Sequence, residues 1–408
     1  MKRKKVLFVP QNGEHLLNMN PVIEILERKG MDCHYLDTNP IFFQDLEYPG
    51  NIKVLHPFKK NILSKSFYNI SHLKRVRLIF GLKDLAAKIV LGYDLVVVGN
   101  DGSLQRQLMY YAKRKNKPCA MILDGLINPP IPFGLGDILK RSKNKLKDLS
   151  EYFRKATVLL ISKSLSRTMF SPYFPSIIGC GNLDHIYTIG KYSKDEIIGY
   201  APKRTKVFDS GLPRMAVYIQ DKEASFSVNE PLSICFITSA YKWHGLSSYH
   251  KYQINDILLI KKCLQEMYPD QNIPLYVKLH PREDVGDYSL LKKIDGIFLV
   301  KKESFVDSIY KYRVLLSNLS TCIVEGLQLG VEVASLMINF PYWKVKKGFL
   351  KSNHVVKLFS EEDLKEYLDE KLKSPKVFYR EAQENDFLSS NTMFSKDIIA
   401  RHLLSLLN

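Results

Sequence analysis

Short runs of β-branched and aliphatic residues alternate with longer amphipathic stretches from one end of the chain to the other. VLFVP (6–10) is followed by a helical pattern over 21–29 that closes at Gly30, and CHYLDT (33–38) reads as a second strand. DLVVVG (94–99), a helix over 104–115 and CAMILDG (119–125) continue the series, as do TVLLIS (157–162), HIYTIG (185–190) and KVFDSG (206–211). The strands are apolar throughout rather than alternating, which predicts parallel sheets covered by helices on both faces. Residues 215–231 break the pattern, because YIQDKEASFSVNEP is polar, aperiodic and ends at Pro231. Beyond it the alternation restarts with SICFIT (233–238), a helix over 256–267, LYVKLHP (275–281), GIFLV (296–300), VLLSN (314–318), a helix over 321–329 and VEVASLMI (331–338). The expected architecture is α/β, with two Rossmann-like doubly wound domains facing a cleft. Residues 1–215 form the first domain, 216–231 a linker and 232–385 the second, and a helix within 386–408 packs back on the first.

Composition narrows the classes. A chain of 408 residues is too long for one core. Its 45% apolar and 25% charged content excludes collagen-like, disordered and disulfide-scaffold proteins. Sixty Lys and Arg against 42 Asp and Glu give +18, which points to anionic partners and says nothing about fold. The six cysteines are scattered and form no CxxC, as in a protein of a reducing compartment. The basic start MKRKK is followed by only four apolar residues before Pro10, and no run approaches the ~18 of a membrane span. Residues 53–83 hold eight basic and no acidic residues, interleaved with Phe58, Phe67, Tyr68 and Phe80, and residues 137–167 hold nine basic against three acidic. These segments are either solvated faces or a docking surface for an anionic membrane. Nucleic acid is not expected, because no helix-turn-helix, zinc-finger or RNP-like pattern occurs.

Two segments carry candidate chemistry. In VKLHPRED (277–284) a strand ends at Lys278–Leu279 and then presents His280, Pro281 and Arg282. In open α/β sheets ligands bind beyond the carboxyl ends of strands. There Arg282 and Lys278 supply charge and His280 donates a proton to a leaving phosphate; the plain alternative is a histidine capping a proline-fixed turn. LLSNLSTCIVEGLQLG (315–330) is strand, polar turn, helix and glycine, with Ser317, Ser320 and Thr321 where the helix begins. Short hydroxyls and helix amides there suit an anion, and Glu325, one turn further on, suits ribose hydroxyls. The alternatives are an N-cap for Ser320 and a solvated position for Glu325.

The HP pair followed by a Ser–Thr pair and a helical Glu resembles the donor-binding domain of GT-B glycosyltransferases. The style is that of bacterial surface-polysaccharide enzymes: sialyl-, polysialyl- and Kdo-type transferases using CMP-activated ulosonic acids, with teichoic-acid polymerases sharing parts of the pattern. The resemblance implies that His280, Ser320 and Thr321 hold the nucleotide phosphate. DSGLPRM (209–215) is similar to the G-x-PR strand that closes the first domain of such enzymes. Their acceptor domain supplies a base from two acids followed by Gly. Here LDG (123–125) and NDG (100–102) each lack one acid, offering Asp124 or Asp101. Asp124 follows the more apolar strand and precedes the turn INPPIP, and burial is expected to raise its pKa. NGEHLLNMNP (12–21) resembles the Gly–His loop of UDP-dependent GT-B transferases, which makes His15 a further candidate base, acceptor ligand or helix cap. The amides of SAYKWHG (239–245) are placed to touch donor, without a catalytic role for His244.

No DxD, GxxxxGK[ST], HExxH or GxSxG occurs. The expectation is therefore a metal-independent glycosyltransferase, cytoplasmic and peripheral at the inner face of the plasma membrane. It would move a sugar to a glycan or lipid-linked acceptor. The donor is a CMP-linked ulosonate first and a UDP-linked hexose next, with no cofactor beyond this co-substrate. A nucleotide-sugar 2-epimerase of the same fold and a non-catalytic basic scaffold for anionic polymer are the alternatives.

Overall fold

The structure is a computed structural model that describes residues 3–42, 45–59, 67, 70–127, 129–131, 133, 134–142, 144–220, 233–242, 246–301, 308–340, 353–374 and 387–407. The chain divides into two compact units, Met1–Gln220 with Asp386–Asn408, and Asp221–Asn385.

In chain order the first unit contains β1 (Lys5–Val9), α1 (Gly13–Arg28), β2 (Asp32–Leu36), α2 (Asn39–Phe42), β3 (Lys53–Leu55), α3 (His72–Gly81), α4 (Lys83–Leu91), β4 (Leu95–Val98) and α5 (Ser103–Arg114). It continues with β5 (Cys119–Ile122), α6 (Leu135–Arg141), α7 (Lys145–Leu165), β6 (His185–Thr188), α8 (Lys191–Ile198), β7 (Lys206–Asp209) and α9 (Pro213–Gln220). The second unit contains β8 (Ile234–Ile237), α10 (Ser247–Met267), β9 (Leu275–Lys278), β10 (Ile297–Val300), β11 (Val314–Ser317), α11 (Cys322–Gln328), β12 (Glu332–Leu336), β13 (Val356–Leu358) and α12 (Glu361–Lys373). The last helix, α13 (Ser395–Ser405), belongs to the first unit.

All strand pairs are parallel, in the orders β3-β2-β1-β4-β5-β6-β7 and β10-β9-β8-β11-β12-β13. Both faces of the first sheet are dry, which is why its strands read as unbroken apolar runs. Leu7 and Val9 of β1, with Val96 and Val98 of β4, pack under Ala86, Ile89, Leu104 and Leu108 of α4 and α5. Val6, Phe8, Leu95 and Val97 point the other way, toward Met19, Ile23 and Leu26 of α1 and Ile399 and Leu403 of α13. In the second unit, Ile257, Ile260 and Leu264 of α10 pack with Leu364 and Leu368 of α12 on one core.

Gly190 makes the return of the chain to the first unit possible. A Cβ there would lie 1.9 Å from the Phe387 carbonyl oxygen, and Ser389 N–H donates to Ile189 O at 2.9 Å. The ring of His402 on α13 then rests on Phe208 of β7, with centroids 4.3 Å apart.

Three sequence expectations give way. TVLLIS is not a strand but the interior of α7, since β5 pairs directly with β6 in the register Ala120↔His185 and leaves no ladder for it. The helix expected from Pro21 starts eight residues earlier, at Gly13. The N–H that Pro21 lacks orphans only the carbonyl of Leu17, a residue on the exposed side. The linker expected from 216 begins later, because Pro213 opens a helix that runs to Gln220; residues 221–232 lie outside the described residues. Of the basic segment 53–83, residues 60–66, 68 and 69 also lie outside them. Among the described residues no helix is long and apolar enough to cross a membrane.

Strand order reverses between β1 and β4 in one sheet and between β8 and β11 in the other. Such switch points open a crevice at the carboxyl ends of the strands, and most of the candidate residues fall there.

Candidate functional site

In the first unit the loop leaving β1 meets the ends of β4 and β5. Asn12 caps α1, its Oδ1 accepting from His15 N–H at 2.8 Å, while its Nδ2 donates to Asp124 Oδ2 at 3.1 Å. His15 is almost wholly buried and packs on Gly99, where any Cβ would fall 2.2 Å from Nδ1. Gln11 N–H donates to that Nδ1 at 3.0 Å, so the ring proton sits on Nε2, 3.2 Å from Asp124 Oδ2. Arg214, in the first turn of α9, is buried; it donates to the Asp124 carbonyl oxygen and pairs with Glu14 at 3.1 Å. The two bases that the sequence offered as alternatives therefore form one dyad. Asp124, its side chain 30% exposed, is the partner that a solute meets, and His15 stands behind it.

Burial works to raise the Asp124 pKa. Its interaction with His15 above all, helped by the Asn12 amide and the Arg214 guanidinium, outweighs burial and holds the carboxyl well below the usual carboxylate range. This corrects the expectation that burial would raise it. Asp101, the other candidate, has a structural role. Its buried Oδ2 accepts from Gly179 N–H at 3.1 Å and Gly181 N–H at 3.0 Å, fixing that loop, and burial raises its pKa despite the opposing charge of Arg106. The Arg of GLPRM arrives on a helix start rather than on the strand that the motif suggested.

In the second unit β9, β8 and β11 end side by side. His280 N–H donates to Thr238 Oγ1 at 2.9 Å and to Glu283 Oε2 at 3.1 Å, and Arg282 N–H donates to His280 Nδ1 at 3.1 Å. Nδ1 thus accepts, and the imidazole proton is on Nε2. Buried Glu283 is the keystone of this turn. Besides His280 N–H it receives the Thr238 hydroxyl, the Tyr288 hydroxyl at 2.5 Å and the Gln253 amide at 3.5 Å. Lys278 at the end of β9 is buried, and Arg282 is half-buried.

Two strand spacings away, about 10 Å, is the turn after β11. Ser317 does not serve as expected: its buried hydroxyl donates to Ile237 O at 2.7 Å and accepts from Ser320 N–H at 3.2 Å, tying β11 to β8. Ser320 Oγ accepts from Cys322 N–H at 3.3 Å, and Thr321, half-buried, makes no side-chain cap bond. Glu325 is buried rather than solvated. Behind the turn, Asp256 of α10 accepts from Asn318 Nδ2 at 2.6 Å and from Asn339 Nδ2 at 2.7 Å; burial pushes its pKa up to about 6 against both amides. His244 lies outside the described residues.

Asn12, Glu283 and Asp256 carried no role in the sequence reading, and Arg214 entered only as part of the GLPRM motif. Glu283 left a trace, a carboxylate three residues after the histidine, but its partners Thr238, Gln253 and Tyr288 come from three other places in the chain.

No family model matches the sequence, and no curated protein does. Solved structures match over nearly the whole chain. A UDP-GlcNAc 2-epimerase from Neisseria meningitidis bound to UDP-GlcNAc is 17% identical, with a TM-score of 0.56 over 98% of this chain and 100% of that one. The Methanocaldococcus jannaschii UDP-GlcNAc 2-epimerase in complex with UDP-GlcNAc and UDP is 12% identical, with a TM-score of 0.58 over 98% and 99%. The wall teichoic acid polymerase TagF with CDPG is 12% identical, with a TM-score of 0.54 over 100% and 89%. At these identities the likeness establishes fold: the chain has the GT-B fold of two Rossmann-like units, as the resemblance implied.

Proposed function

We propose that the protein is a glycosyltransferase that uses a pyrimidine-nucleotide sugar. The observation that carries this reading is the partly exposed Asp124 carboxylate, kept ionised by His15, Asn12 and Arg214 at the end of β5. An acceptor hydroxyl gives its proton to Asp124 as its oxygen bonds to the anomeric carbon. The bond from that carbon to the phosphate oxygen breaks, and the electron pair leaves with the nucleotide. Considered by itself, the second unit offers the His280 turn braced by Glu283 and the hydroxyls of Ser320 and Thr321 as groups suited to a nucleotide phosphate. Pyrimidine nucleotides are favoured because the similar structures hold UDP-GlcNAc, UDP and CDPG. Within that class, a CMP-linked ulosonate is the donor that the HP and Ser–Thr motifs suggest, and a UDP-linked hexose is the donor that the neighbours suggest.

The full-length likeness to two UDP-GlcNAc 2-epimerases favours a second reading, inversion at carbon 2 of a UDP-sugar. That reaction takes a proton from carbon 2 instead of from an acceptor hydroxyl, so solvent hydrogen enters the sugar. Incubation in deuterium oxide with UDP-GlcNAc, UDP-glucose, CMP-sialate or CMP-Kdo separates the two. The transferase reading expects nucleotide release that depends on acceptor and no deuterium at carbon 2. Deuterium at carbon 2 of UDP-GlcNAc without acceptor establishes the epimerase instead.

A further inference from the structure

The basic segment 137–167 takes no part in either unit's candidate site, and its helix α7 has an unusual surface. Over 21 residues only Asp148 and Ser162 are buried, and both lie on one side. On the opposite side Leu146, Phe153 and Leu160 are 84%, 59% and 65% exposed. Their spacing of seven puts the three within about 40° of one line along the helix. Lys145 and Lys163 flank this row on one side and Lys147 and Arg154 on the other, all exposed and about 80–120° from its mid-line. The acids of the segment are turned to internal tasks. Asp137 caps α6 through Gly134 N–H, Asp148 accepts from Ser142, and Glu151 pairs with Lys155 at 2.9 Å. The pattern recurs on α3, where Leu73 and Phe80 are exposed seven residues apart beside Lys74 and Arg77. Phe80 also touches Tyr173, just past the exposed Met169 and Phe170 that follow α7.

We propose that α7 lies flat on an anionic lipid bilayer, its apolar row in the headgroup boundary and its basic rows against lipid phosphates. An exposed apolar line bordered on both sides by cations is the arrangement that an interfacial helix needs. A second copy of this chain would bring the same cationic rows face to face, and an anionic glycan would engage the cations while leaving the leucines and phenylalanine in water. Co-sedimentation of the full chain with vesicles tests this. Wild type is expected to bind phosphatidylcholine vesicles containing phosphatidylglycerol at about one part in three, and not phosphatidylcholine alone. Leu146→Ser with Phe153→Ser and Leu160→Ser, and separately Lys145→Glu with Lys147→Glu and Arg154→Glu, should each weaken binding at least about tenfold with the thermal midpoint retained. Lys251→Glu with Lys292→Glu and Lys293→Glu changes net charge equally on the other unit and should leave binding in place. Absence of wild-type binding overturns the proposal, as does equal loss in the control or full binding by the serine variant. A serine variant that turns a dimer into a monomer while still binding vesicles would assign the face to a second copy and overturn it as well.

Discussion

At the scale of single residues, the ionisation of Asp124 is the point on which the chemistry turns. Its carboxylate accepts from two side chains while a buried guanidinium holds its carbonyl, so charge is stabilised without the group being sealed from solution. Asp124→Asn keeps the shape and removes the proton acceptor. Turnover should fall about 10²–10⁴-fold with the fold intact, as steady-state kinetics with a circular dichroism control would register. A carboxyl held low also places the acid limb of the pH–rate profile below the ordinary carboxylate value. Removing the His15 contribution with His15→Asn should move that limb upward; a limb that stays put would mean the pair is not coupled. His15 and Asp124 were each legible in the sequence as candidates. Their pairing was not, because it depends on a glycine just past a third strand, Gly99, leaving room for the ring.

Among elements, the crossing of the returning chain over Gly190 is the least forgiving contact. A methyl group there meets backbone, the Phe387 carbonyl, which cannot rotate aside. Gly190→Ala should therefore cost about 1–3 kcal/mol in urea unfolding and loosen α13 from α1. An unchanged midpoint would show that the C-terminal segment is not held there. The sheets themselves were readable because burial on both faces writes each central strand as an unbroken apolar run, as in LVVV of β4 and ICFI of β8. Three-residue edge strands such as β3 and β13 are too short to carry a period. TVLLIS misled because a β-branched run inside a half-exposed helix has the local composition of a strand, and only the direct pairing of β5 with β6 excludes it. The second-unit turn was legible as HPR. Its brace was not, since Glu283 gathers donors from Thr238, Gln253 and Tyr288.

For the molecule as a whole, stability should carry the signature of a histidine buried beneath the last helix. Burial first, then the charges of His402 and Lys206, lower His185 to about 4 from its ordinary 6.5. Between those values the unfolded chain takes up a proton that the fold refuses. This contribution is intact above pH 6.5 and is lost progressively as pH falls toward 4, to a limit on the order of 3 kcal/mol. His185→Phe should flatten that part of a pH series of thermal midpoints; an unaltered slope would locate the titration elsewhere. The account as a whole requires that the turn after β9 bind the phosphate of a pyrimidine nucleotide. Isothermal titration of UDP and CMP into wild type and His280→Ala measures this directly. The account predicts saturable binding of at least one nucleotide by wild type and at least about tenfold weaker binding by the variant, which has lost a charge-assisted donor. No binding of either nucleotide, or equal affinity in both proteins, would contradict it.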